Sequence, residues 1–244
     1  MTFHPISAFF VFPIMLVMLE LGRFFRSRPK APSESKVIES AVFALFGLLL
    51  AFTFSGAIAR YDTHRRLVVE ETNGITTAYL RLDLLPSAAQ PTLRQLFRDY
   101  TTSRLHLYDG VSEEVSPESK ALQLEIWKQS VAAASGPGAS VDATKLLLPA
   151  LNSMIEITAV RQNAFNMHPP PVVFLLLFAF SGGAAFLAGY SMTPSDRSWF
   201  HTFALAVAVT LTIYATLEIE YPRQGLIRLT DTDKTLTNLR NSMK

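Results

Sequence analysis

The chain contains no cysteine. That removes disulfides, thiolate metal sites and cysteine nucleophiles in one step. Charge is scarce as well: 17% of the residues are charged, against 49% hydrophobic. Neither sign dominates, since the net charge is +2 over 244 residues, so no nucleic-acid partner is indicated. Catalytic motifs are missing too. There is no H-E-x-x-H, no G-x-S-x-G, no Walker loop and no dinucleotide glycine pattern. The histidines, His4, His64, His106, His168 and His201, are scattered without a second ligand at metal spacing. No metal, no cofactor and no enzymatic activity are expected. Glu70 and Glu71 are adjacent. Neighbours on a helix do not face each other, so they read as a solvated or ion-paired face and not as an acid–base pair.

The shortage of charge is concentrated in four stretches, residues 6–19, 41–59, 172–192 and 199–217. A helix needs roughly 20 mostly apolar residues to cross a bilayer core about 30 Å thick. The last three reach that length. The first does so if Phe3 and Leu21 join it and Glu20 snorkels to the interface. With no positive residue ahead of Ile6 and no small-residue cleavage pattern, it reads as a retained span and not a signal peptide. The expected fold is an all-α membrane protein, with four transmembrane helices in two pairs and a helical extramembrane bundle inserted between spans 2 and 3. The expected divisions are 1–60 for spans 1 and 2, 61–168 for the bundle, 169–221 for spans 3 and 4, and 222–244 for a polar tail.

Between residues 38 and 85 there is no proline, and apolar residues recur at helical spacing past the span. One uninterrupted helix is expected there. Pro91 marks another helix start. Ser116-Pro117-Glu118 supplies a cap, a first-turn proline and an acid at the positive helix end. A helix over 141–166 should be kinked by Pro149. The tail should end in a short helix capped by Asp231 or Thr232.

Span two places Ser40, Ala44, Gly47, Ala51 and Ser55 at spacings of three and four. Span three repeats this with Ser181, Ala185 and Gly189. Such stripes let helix backbones approach closely in lipid. They serve packing within one subunit, or, in span two, the lining of a symmetric pore. Phe46, Leu50, Thr53 and Ala57 form another face of span two, where apolar rings could gate by dewetting. Arg60, Arg65, Arg66, Glu218, Glu220 and Arg223 cluster at the bundle-side membrane boundary. They read either as simple interface anchors or as partners. An acid near lipid wants a counter-ion, so Glu218 or Glu220 is expected to pair with Arg60, Arg65 or Arg66.

The run 39–56 (ESAVFALFGLLLAFTFSG), followed by Arg60-Tyr61-Asp62, resembles the bacterial bestrophin-like membrane-protein family. So do 69–73 (VEETN), 77–86 (TAYLRLDLLP) and 218–228 (EIEYPRQGLIR). The resemblance implies bestrophin architecture: four spans, a helical cytosolic part, five subunits around an anion pore and an apolar neck on span two. Span two departs from that pattern in having no Ile-Pro-Phe neck sequence and no proline. The expected protein is a homo-oligomeric chloride channel, a pentamer on the bestrophin pattern, with span two lining the pore through Ser40, Phe46, Gly47, Leu50, Thr53, Ser55 and Ala57. Its partners would be the lipid bilayer, its own copies and anions. It would sit in the bacterial inner membrane with bundle and termini cytoplasmic. The alternative is a non-conducting sensor or scaffold whose bundle binds a partner. A membrane enzyme is a third reading, for which no catalytic set is visible.

Overall fold

The computed structural model describes residues 4–26, 35–108, 115–192, 199–222 and 230–243. Among them there are helices and no strands. After a 3-10 turn, Pro5–Phe10, come α1 (Val11–Arg26), α2 (Ser35–Leu80), α3 (Gln90–Tyr108) and α4 (Pro117–Ala134). They are followed by α5 (Ala143–Asn166), α6 (Pro171–Ser191), α7 (Trp199–Glu220) and α8 (Thr230–Ser242). A second 3-10 turn, Arg81–Leu84, extends α2. Among the described residues four helical segments are long and apolar enough to cross a membrane. The chain divides into two compact units: Met1–Tyr61 with His168–Ile227, and Asp62–Met167 with Arg228–Lys244.

In the first unit, α1 packs most extensively along α6 and also meets α7. Glycine makes the first contact possible. A Cβ on Gly22 would collide with the Phe186 carbonyl, and one on Gly189 with the Leu19 carbonyl. The two backbones therefore touch where side chains would hold them apart. Ser181, Ala185 and Gly189 are all buried, so the small stripe of the third span is used within the chain. Met15, Leu19, Phe174, Leu177, Ile213 and Leu217 fill the rest of this core. At the end of α6, Arg26 donates to the carbonyls of Tyr190 and Ser191, acceptors that a helix terminus leaves without internal partners.

The second unit is a helical bundle around Ile75, Leu82, Phe97, Tyr100, Ile126, Leu151 and Met154. Full burial of one such side chain contributes about 1.5–3 kcal/mol. Its elements begin where local chemistry dictates. Ser116 caps α4, its hydroxyl accepting from the Ser119 N–H at 3.0 Å, with Pro117 at the first helical position. Pro149 lies inside α5. The tail helix α8 starts at Thr230, so Asp231 and Thr232 fall in its first turn and not at its cap. It is more than a polar appendage: Leu236 and Met243 are buried in the bundle core, and Arg240 donates to Thr102 at 2.9 Å.

Candidate functional site

The apolar half of α2 turns its two faces to different surroundings. Phe46, Thr53 and Ala57 are buried in the first unit's interior, and Leu50 is half-buried. The Thr53 hydroxyl is spent on the Leu49 carbonyl at 2.7 Å, a common use of a mid-helix threonine. Ser40, Ala44, Gly47, Ala51 and Ser55 are exposed. Nothing lies within 4 Å of a Cβ placed on Gly47. Leu45, Leu48 and Phe52 are exposed beside that stripe. The two sets of pore candidates thus lie on opposite sides of one helix: one packed inside the first unit, the other exposed.

Of the boundary charges, Arg60 meets Glu220. The Glu220 side chain is 1% exposed, and Arg60 grips it with Nε at 3.0 and 2.8 Å from the two oxygens and Nη2 at 2.6 Å. His168 Nδ1 stands 3.1 Å from Oε1, and its ring lies 4.6 Å from that of Tyr221. Three segments meet here: the end of the apolar half of α2, the link before α6 and the end of α7. Acids at a helix C-terminus oppose the helix dipole, so these cations answer a real electrostatic need. Glu218 is also buried and accepts from the Tyr214 hydroxyl. Arg65 pairs with Asp62 at 3.8 Å and Arg66 with Glu70 at 3.6 Å, all well exposed. Arg223 lies outside the described residues.

A second charged site was not anticipated from the sequence. Glu71 is fully buried in the second unit and is held by Arg104 from α3, Nε to Oε1 at 2.6 Å, and by Arg161 from α5. Glu71 lies beyond the apolar stretch of α2. Burial by itself would raise its pKa, but the two guanidiniums and their hydrogen bonds win and hold the carboxyl below its usual range. Burial pushes the nearby Tyr100 phenol the other way, upward, and the Glu71 charge adds to that. Gln123 ties the layer together, donating to Tyr100 at 3.0 Å and Thr158 at 3.2 Å. Glu70, one residue earlier, faces out, as adjacent helix positions must.

A signal for this triad was present. Glu71 falls in phase with Val68, Ile75 and Ala78. Arg104 follows Phe97, Tyr100 and Thr101 in phase, and Arg161 follows Leu151, Met154 and Thr158. A charge in register with a buried stripe must have a buried partner. Among the described residues there is no group of histidine and acidic side chains able to hold a metal ion.

Comparison with known proteins bears on the family and the fold. The comparison with curated proteins gives no match. A crystal structure of a point mutant of a bacterial bestrophin homolog from Klebsiella pneumoniae is similar in fold, with a TM-score of 0.68 at 12% identity. The match covers 98% of this chain and 99% of that one. The family model described as the bestrophin-like domain matches residues 8–233. The chain therefore belongs to the bestrophin-like family.

Proposed function

We propose that the protein is a membrane channel of the bestrophin kind, a homo-oligomer that passes anions such as chloride along an axis lined by α2. The observation that carries this reading is the exposure of α2. Only 17% of its most apolar stretch is buried in the subunit, against 33% to 44% in the other three candidate spans. A helix this apolar and this little covered needs lipid or a second copy around it. Its outer face carries small and hydroxyl residues, which suit a close ring and a wetted path better than lipid. On this reading Ser40, Ala44, Gly47, Ala51 and Ser55 face the axis. Leu48 and Phe52, exposed beside them, take the constricting role in place of Phe46 and Thr53, which pack inside the subunit. Five subunits, chloride as the ion, an inner-membrane location and a cytoplasmic bundle are part of this proposal, drawn from what the bestrophin resemblance implies.

The test is flux from liposomes holding purified protein, beside its mass in mild detergent. Expected are an oligomer, chloride flux, and a changed rate when Phe52 and Leu48 are cut to alanine. A monomer counts against the reading. An oligomer without flux, indifferent to those substitutions, moves it to the sensor or scaffold alternative.

A further inference from the structure

The second unit carries a groove between α2 and α5 that the proposed pore does not use. It has a volume of about 320 Å³ and is lined by Asn73, Gly74, Thr77, Arg81, Pro149, Ala150 and Ser153. Its origin is local. Pro149 has no N–H, so the fourth carbonyl before it loses its helical donor and the turn cannot close normally. Gly74 and Ala150 add no bulk. At Gly74 the helices run close, since a Cβ there would stand 3.6 Å from Met154 Cα. At the other end Arg81 Nη1 donates to the Leu146 carbonyl at 2.5 Å, which orients the guanidinium.

We propose that this groove binds a small organic monocarboxylate. Among the described residues Arg81 is the one charged side chain lining it, and none of those residues is acidic, so the lining favours an anion. A guanidinium fork matches the planar two-oxygen geometry of a carboxylate. Asn73, Thr77 and Ser153 add neutral hydrogen-bonding groups, while Pro149 and Ala150 offer an apolar wall for a short hydrocarbon part. The single cation suits one negative charge better than a doubly charged phosphate. The volume lies at the small end of ligand sites. The proposal stands apart from the channel reading, because binding is measured without ion flow.

The full chain, purified in detergent, is titrated with sodium butyrate and sodium acetate, with sodium chloride at equal ionic strength as the reference. Melting temperature and saturation-transfer NMR of the butyrate methyl are read. The expected result is a saturable rise in melting temperature beyond that in chloride, with transfer to butyrate. Ser153→Leu plugs the groove from an exposed position. It should weaken binding at least about tenfold, roughly 1.4 kcal/mol, while the unliganded protein melts as the parent does. Thr77→Leu plugs it from the opposite helix and should act alike. Arg81→Gln should abolish binding, but it also strips the Leu146 carbonyl of a donor, so the two plugs decide. A response no larger than that to chloride overturns the proposal. So does one that survives both plugs.

Discussion

At the level of single residues, Glu71 has most at stake. It is a buried carboxylate between two buried guanidiniums. Breaking such a pair by removing one partner typically costs about 3–5 kcal/mol. Glu71→Gln should therefore lower stability by about that much, read by thermal or denaturant unfolding. Acid behaviour separates charge from shape. A carboxyl held below its usual range contributes stability that is complete above its unfolded value and is lost as pH falls through the folded one. The parent should lose stability in that acid window, and Glu71→Gln should lose less there. A variant with the parent's acid limb would show that Glu71 is not the group responsible. The boundary pair allows a second comparison. Arg60→Gln strips a partner from the buried Glu220 and should cost about 3 kcal/mol. Arg66→Gln, in an exposed pair, should cost about 0–1 kcal/mol. Equal melting of the two variants would make Arg60 a surface anchor as well.

Among the helices, the contact of α1 with α6 turns on two glycines. Gly22→Ala places a methyl against the Phe186 carbonyl and the Tyr190 N–H. The obstacle is backbone, which cannot rotate away, so the helices must separate. Overpacking of this kind typically costs about 1–3 kcal/mol. Gly189→Ala should behave alike, and the double variant should cost less than the sum, because one separation relieves both clashes. A double-mutant cycle of detergent unfolding reads this, and strict additivity would contradict a shared contact. The stripes themselves were legible in both spans from spacing alone. Their different use was not, because a spacing says that backbones can approach and not which backbone does. In span three the partner is α1. In span two the stripe stays exposed among the described residues of the first unit.

For the whole molecule, Gly47 separates the single chain from the proposed assembly. Nothing lies near a Cβ there, so Gly47→Leu should leave the isolated subunit as stable as the parent, or up to about 1 kcal/mol more so through helix propensity. If α2 lines the axis of a ring, the same change should dissociate the oligomer or stop chloride flux. Native mass measurement and liposome flux check the two halves, and a variant that assembles and conducts like the parent would take α2 off the axis. What the sequence by itself determined is the helical content, the four apolar stretches, the uninterrupted α2 and the Ser116 cap. All of these depend on neighbours a few residues apart: runs of hydropathy, the absence of proline, the 3.6-residue period. Only the tertiary structure decided which face of α2 is buried, that Glu220 and not Glu218 takes Arg60, that Glu71 draws Arg104 and Arg161, and that α8 joins the bundle core. The physical reason is the same in each case. A helical period gives the phase of a stripe along its own axis, but partners 33 and 90 residues away, as for Glu71, are set by how helices dock, and no local pattern encodes that.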